Sequence, residues 1–125
     1  METTISVEEL MKLKSPIEER SFISLYMPPV PVKAIINQLN QEINQTEKST
    51  NWKIKGAVIM MLKQIVNYLK LINGQIKEPG AILFAVPVSH KEALIHTILA
   101  KIKTVEVFLY VLDYQFYFNK EYFGE

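Results

Sequence analysis

The chain has 125 residues, of which 49% are hydrophobic, with no cysteine and a formal net charge of +1. This length and apolar content predict one folded domain over residues 1–125 and exclude wholesale disorder, while the lack of cysteine excludes disulfides and thiolate metal sites. The N-terminus lacks the basic segment and apolar run of a secretory signal, and no apolar run approaches the roughly 20 residues of a membrane span. We therefore expect a cytoplasmic protein.

Charge is unevenly distributed along the chain. The first 20 residues contain five glutamates, whereas residues 48–77 contain six lysines and no acidic residue. A basic segment in a near-neutral chain is typical of a surface that binds a polyanion, and a solvated helix face explains it about equally well.

The N-terminal part is predicted to contain a helix, a strand and a second helix. Residues 6–9 have the Ser-x-x-Glu form of a capping box, and apolar residues follow in helical spacing to about residue 14. Residues 21–27 alternate between two apolar sides, which is typical of a strand buried on both faces. Pro31 suits the first position of the next helix, whose apolar face extends to about residue 45.

A third helix is predicted over residues 49–72. Its apolar stripe must face the core and consists of Ile54, Val58, Met61, Leu62, Ile65, Leu69 and Ile72. The opposite side interleaves lysines with apolar residues, namely Trp52, Lys55, Ile59, Lys63, Val66 and Lys70. We interpret this outer side as a partner-binding face, with lysines for phosphates and Trp52 for stacking. Alternatively, its apolar residues lie under a neighbouring element such as the second helix.

The C-terminal part is predicted to be rich in strands. Residues 81–88 have the β-branched and aromatic content of a strand, and the apolar run 105–118 reads as a strand or hairpin. Residues 92–103 fit a helix or a strand equally well from their spacing alone. The predicted fold is α/β, a two-layer sandwich of about three helices packed on a mainly antiparallel sheet of about four strands.

Several segments resemble the N-terminal domain of the archaeal and eukaryotic class-1 translation termination factors. The strand at residues 22–29 ends in Pro28-Pro29 as in that family, and residues 37–71 align to it without a gap. Pro79-Gly80 before an apolar strand, and residues 107–110, match later strands. The resemblance covers nearly the whole chain and implies that the ambiguous segment near Ile95 is a strand.

In that family this domain reads stop codons on the small ribosomal subunit through three motifs. An Asn-Ile-Lys-Ser loop aligns with residues 48–51 here, and its lysine is replaced by Thr50. A Gly-Thr-Ser cluster becomes Glu19-Arg20-Ser21, and a Tyr-x-Cys-x-x-x-Phe cluster loses its cysteine. The former decoding positions are therefore Arg20, Ser21, Tyr110, Leu112 and Phe116.

No pattern in the sequence supports catalysis. The Gly-Gly-Gln loop that the family uses for peptidyl-tRNA hydrolysis is absent, because the four glycines include no adjacent pair. His90 and His96 are the only imidazoles and lack partners at metal-ligand spacing. We expect no enzyme activity, no cofactor, no metal and no small-molecule substrate.

These features predict a non-catalytic protein that binds the small ribosomal subunit, contacting rRNA and ribosomal proteins, and restrains translation as an anti-association, ribosome dimerisation or hibernation factor would. One alternative is the stop-codon-recognition domain of a split or truncated termination factor. Another is a protein-interaction module with an acidic protein partner. The predicted ribosome-binding positions are Lys48, Ser49, Thr50, Asn51, Trp52, Lys53, Lys55, Lys63 and Lys70.

A homodimer is a second hypothesis. The run 105–118 is apolar on both sides, and an exposed strand edge or sheet face there would be closed most simply by a twofold dimer. A buried central strand is the alternative. The predicted interface positions are Val107, Leu109, Val111, Tyr114 and Phe118.

Overall fold

The computed structural model describes residues 2–3, 7–12, 21–49, 55–72, 74–88, 91–98 and 102–123. The elements in chain order are β1 (Glu2–Thr3), α1 (Val7–Lys12), β2 (Phe22–Met27), α2 (Val32–Lys48), α3 (Lys55–Leu71), β3 (Ala81–Pro87), β4 (Ala93–Ile98) and β5 (Leu109–Asp113). No helix in these ranges combines the length and apolar content needed to cross a membrane.

The strands form one sheet in the order β1-β4-β3-β2-β5. Strands β2 to β5 pair antiparallel, and only the two-residue β1 pairs parallel, with β4. The mainly antiparallel sheet is therefore confirmed, and so is the strand assignment near Ile95, which pairs with Ala85.

Two long helices cover one face of the sheet. Buried residues of α2 and α3 share one core cluster with Ile23, Leu25 and Leu83 of the two central strands. The prediction of about three packed helices was partly wrong, because α1 has only six residues and the helices in this cluster are α2 and α3. Helix α2 extends to Lys48, beyond the predicted end near residue 45. Buried Thr46 in this added turn donates its hydroxyl to the Glu42 carbonyl at 2.8 Å, so its polar group is satisfied within the helix.

The other face of the sheet is covered by residues 102–123, apart from β5 itself, which we call the C-terminal segment. A second core cluster joins Phe22, Tyr26 and Phe84 of the sheet to Val105 and Phe116. The prediction of a long strand or hairpin over 105–118 was therefore wrong outside β5. Val105, Phe116 and Phe118 lie outside β5 and are apolar because they pack on this face.

The C-terminal segment is fixed to β2 by polar groups inside the sheet. The Tyr26 hydroxyl donates to the Tyr117 carbonyl at 2.6 Å and accepts from the Asn119 amide at 3.1 Å. The Tyr117 amide donates to the hydroxyl oxygen of buried Ser24 at 2.9 Å. Burial raises the pKa of Tyr26 to about 12, so its hydroxyl stays protonated and remains a donor at neutral pH.

Gly80 allows close approach where β3 begins. Its φ is +112°, and a Cβ there would lie 2.5 Å from the Met27 carbonyl oxygen and 3.1 Å from the Val105 Cβ. A residue with a side chain would therefore be strained in its backbone and would collide with the end of β2.

His96 lies in β4, with its ring stacked on Phe84 at a centroid distance of 5.1 Å. Its Nδ1 is buried and has no hydrogen-bond partner within the described part of the chain. Burial lowers the pKa of His96 below its usual 6.5, because the charged imidazolium is poorly solvated there.

We predict that replacing Tyr26 by phenylalanine destabilises the fold. Tyr26→Phe leaves the Tyr117 carbonyl and the Asn119 amide without their partner, which should lower the free energy of unfolding by about 1–3 kcal/mol in urea denaturation. Tyr117→Phe is the matched control, since that ring is exposed and removal of its hydroxyl should change stability by less than about 0.5 kcal/mol. Equal losses in the two variants would contradict the bridging role of Tyr26.

We also predict a stability change that depends on His96 protonation. Its pKa in the folded state is lower than in the unfolded state, so the unfolded chain takes up the proton first as pH falls. The contribution of His96 is therefore fully present above the unfolded pKa of about 6.5 and is lost as pH drops below it. Urea denaturation between about pH 8 and pH 5.5 should show a smaller decline for His96→Gln than for the natural chain. Parallel pH profiles would rule out this role.

Candidate nucleic-acid interface

Two lysines project from the exposed side of α3. Lys63 and Lys70 are both exposed and stand seven residues apart, which places them on the same side of the helix about 10 Å apart along its axis. Neither makes an ion pair within the described ranges. Both ammonium groups are therefore available to an anionic partner.

The apolar residues predicted for this outer side have a structural explanation. Val66 is only 6% exposed and belongs to the core cluster, and Ile59 is partly buried against the same cluster. The alternative interpretation, in which they lie under a neighbouring element, is the one that the structure supports. Trp52, the third apolar member of the set, lies outside the described residues.

A groove with a volume of ≈ 450 Å³ runs between α2 and α3. Asn40 and Asn44 border it from α2, four residues apart and hence on one side of that helix. From α3 it is bordered by Lys63, Asn67 and Lys70, and Ile43 and Val66 also line it. No carboxylate is among these lining residues, so the only formal charges in the groove are positive.

The three asparagine side chains make no hydrogen bond within the described part of the chain. A different amide on α3 shows the contrast, because Gln64 donates to the Lys91 carbonyl at 2.8 Å and accepts from the Ala93 amide at 3.2 Å. Gln64 thus ties α3 to the start of β4, whereas the groove amides are not used to hold the fold together.

Lys55 has a different environment from the other predicted lysines. Its ammonium donates to the Glu47 carbonyl and, at 2.8 Å, to the Ser49 carbonyl. A cation at the C-terminal end of a helix stabilises the unpaired carbonyls there, so Lys55 joins the start of α3 to the end of α2. Lys48 is exposed on the last turn of α2. The other predicted positions of this connection, Thr50, Asn51, Trp52 and Lys53, lie outside the described residues.

The former decoding positions are not gathered at one surface. Ser21 is fully buried, and Phe116 is buried in the cluster that covers the second face of the sheet. Tyr110 and Leu112 are partly buried on the opposite face, against the helical core. The ring pair Tyr110 and Phe116 is therefore separated by the sheet, and Arg20 lies outside the described residues.

Tyr110 lies close to a carboxylate that the sequence reasoning did not select. Burial, with a smaller contribution from Glu42 on α2, raises the pKa of the Tyr110 hydroxyl well above its usual 10.0. Only the packing of α2 across the sheet brings these residues together, so no local sequence signal could have identified the pair.

The predicted dimer positions lie around an edge strand. β5 pairs only with β2 within the described ranges and forms one end of the sheet. Val107 and Tyr114, which flank β5, are 60% and 51% exposed. Leu109 and Phe118 instead pack on the second core cluster, and Val111 is partly buried opposite Ser24.

One family model and two solved structures match the chain. The family model described as eRF1 domain 1 matches residues 4–121. A solved structure described as an archaeal protein superposes with a TM-score of 0.70 at 23% identity, covering 89% of this chain and 31% of its own. The crystal structure of the archaeal translation termination factor aRF1 gives a TM-score of 0.69 at 24% identity, covering 91% of this chain and 33% of its own.

The chain thus spans about a third of the length of each of these two structures. No curated protein matches it. Because the family model covers nearly all of the sequence, from the residues before α1 to the end of the C-terminal segment, the chain belongs to the eRF1 domain 1 family.

Proposed function

We propose that this chain is a non-catalytic ribosome-binding protein that contacts rRNA of the small subunit through the surface of α2 and α3 and thereby restrains translation. The observation that carries the proposal is the acid-free groove with exposed Lys63 and Lys70 on a domain of the eRF1 family. Its restraining effect would come from occupying the surface where the subunits meet, as an anti-association, dimerisation or hibernation factor does.

The charge arrangement supports a polyanionic partner. Lysines that neutralise phosphates release condensed counterions, so affinity for RNA falls steeply with salt. Exposed Lys48 on the last turn of α2 extends the same positive character. Lys55 is assigned a structural role instead, because its ammonium is already engaged by two carbonyl groups.

The positions that match the decoding motifs support binding without codon recognition. A base cannot reach Ser21 or Phe116 without opening the core, since both are buried. Tyr110 points to the helical side, away from Phe116. These side chains stabilise the sheet and are poorly placed to act together on one codon.

Stop-codon recognition is the second candidate function. Family membership favours it, and the solved relative with a named activity is a translation termination factor. Tyr110 beside Glu42 retains one partly exposed polar pair that could contact a base. The two functions differ in whether binding depends on the codon in the ribosomal decoding site.

We predict salt-sensitive cosedimentation with small ribosomal subunits on sucrose gradients. Lys63→Glu combined with Lys70→Glu should reduce binding by at least about tenfold, because two phosphate contacts become repulsive. Lys103→Glu combined with Lys120→Glu is the matched control, since it makes the same charge change at exposed positions of the C-terminal segment.

The outcomes separate the two candidates. Codon-independent binding that is lost in the α3 variant, with fewer full ribosomes or a faster-sedimenting dimer of subunits, is expected. Binding that appears only on ribosomes with a stop codon in the decoding site would establish decoding instead. Equal binding by the natural chain and the α3 variant would refute the assigned surface.

We further propose that β5 mediates a homodimer. Among the described residues no strand pairs with its outer edge, and its sequence contains neither lysine nor proline to discourage pairing. Antiparallel pairing of two copies would satisfy the backbone groups of this edge. Light scattering at micromolar to millimolar concentration should show a dimer that Val107→Lys weakens and Val88→Lys does not. Val88 is a fair control, because it is 57% exposed and lies beyond β3. A monomer throughout this range would end the dimer proposal.

A further inference from the structure

We propose that the groove between α2 and α3 binds an unpaired RNA nucleotide, with its base between the asparagine side chains and its phosphates at Lys63 and Lys70. The inference deepens the proposed function and rests on it, since it names the form of RNA that the same surface holds. It predicts selectivity for single-stranded over duplex RNA, which a basic surface alone does not provide.

The asparagine side chains that line the groove are not used to hold the fold together. Each asparagine side chain offers two N–H donors and one carbonyl acceptor, and those of Asn40, Asn44 and Asn67 have no partner among the described residues. Three such groups converge on one groove from two helices. Base edges present mixed donors and acceptors, and an asparagine can match them through two hydrogen bonds, best with adenine.

The groove also has an apolar floor. Ile43 and Val66 line the groove, and their side chains are 7% and 6% exposed within the core cluster. An apolar surface between polar groups suits the face of a base, which is flat and weakly hydrated compared with its edges. A phosphate alone would gain nothing from this floor.

The lining of the groove favours unpaired RNA, because its amides can reach only base edges that are not already paired. Duplex RNA presents its base edges only in a narrow major groove or a shallow minor groove, whereas unpaired bases can be splayed into a protein pocket. With a volume of ≈ 450 Å³, the groove between the two helices is large enough for a ligand of nucleotide size. Backbone contacts at Lys63 and Lys70 would then follow the strand along α3.

An acidic protein segment is a poorer fit to the same residues. Carboxylates accept hydrogen bonds only, so they would pair with the lysines and the amide N–H groups. The asparagine carbonyl oxygens would then depend on backbone N–H groups of the segment, because its carboxylates offer no donor. A base edge offers both a donor and an acceptor to a single amide, and the groove carries three amides for two lysines.

The test combines nuclear magnetic resonance with fluorescence anisotropy on the full chain. The probes are a six-nucleotide oligoadenylate, a six-nucleotide oligouridylate, a short RNA duplex with as many phosphates and a hexaglutamate peptide. Addition of oligoadenylate should shift the side-chain amide signals of Asn40, Asn44 and Asn67, and single strands should bind at least about tenfold more tightly than the duplex. Shifts confined to other surfaces, equal duplex binding, or groove shifts only with the peptide would overturn the inference.

A pair of double variants isolates the amides from the charge. Asn44→Ala combined with Asn67→Ala removes amides without altering charge, and alanine favours the helix, so folding is preserved. This variant should lose at least about tenfold in affinity for oligoadenylate and keep its weak affinity for the duplex. Gln38→Ala combined with Gln45→Ala is the control, since these exposed amides lie on the opposite side of α2. Equal losses in the two double variants would also overturn the inference.

Ribosome binding distinguishes failure of this inference from failure of the proposed function. Cosedimentation with small subunits that is insensitive to Asn44→Ala and Asn67→Ala, without binding of single strands, would leave the function standing and remove the nucleotide site. Single-strand binding in the groove without cosedimentation would support the site and reject the ribosomal function.

Discussion

The rest of the structure depends on β2, whose six residues are all buried and whose two edges pair with β3 and β5. A strand in this position must have both faces covered, and its polar groups must find partners inside the protein. The helices cover one face through Ile23 and Leu25. The other face carries Ser24 and Tyr26, and the C-terminal segment supplies the backbone groups that satisfy them.

The need to cover β2 explains why Phe116, one of the former decoding positions, is buried. Phe116 fills the second core beside Phe22 and Tyr26, with ring centroids 6.4 Å and 6.1 Å away. Phe123 is a third ring against it, at 6.3 Å, so Phe116 serves the packing of this core. The proposed recognition surface is the side of α2 and α3 remote from the sheet. Lys63 and Lys70 make no ion pair there within the described ranges and are available to a partner.

Much of this fold could be predicted from the sequence because burial leaves a periodic trace. The two-sided apolar pattern of residues 21–27 identified β2, and the apolar stripe of the third helix identified the buried side of α3. The predicted bounds 49–72 were wrong at both ends, because Ser49 is extended after α2 and Ile72 lies beyond Leu71 with 37% of its surface exposed. The segment from 105 to 118 was misassigned because Val105 and Phe116 are apolar for the same reason as residues of a strand, although they pack as loop residues. The apolar composition of a segment indicates that it is buried, but it does not indicate whether its backbone pairs with another strand.

The lysines of the candidate site could be predicted from the sequence, but its asparagines could not. Lysines in a segment without acids stand out in a sequence, and Lys63 and Lys70 were identified in this way. The three asparagines that line the same groove do not stand out in the sequence, because uncharged polar residues are common on exposed helix surfaces. Only the packing of α2 against α3 brings Asn44 and Asn67 into one groove and makes them candidates for ligand binding.

The bond between Ser24 and Tyr117 also has a consequence for the order of events during synthesis. The two residues are 93 positions apart, so β2 leaves the ribosome long before the segment that covers it exists. At typical elongation rates this interval lasts about 5 to 20 s, during which one face of β2 lacks the segment that covers it. The sheet therefore depends on contacts between distant parts of the sequence, which is typical of domains that fold slowly and complete their core late.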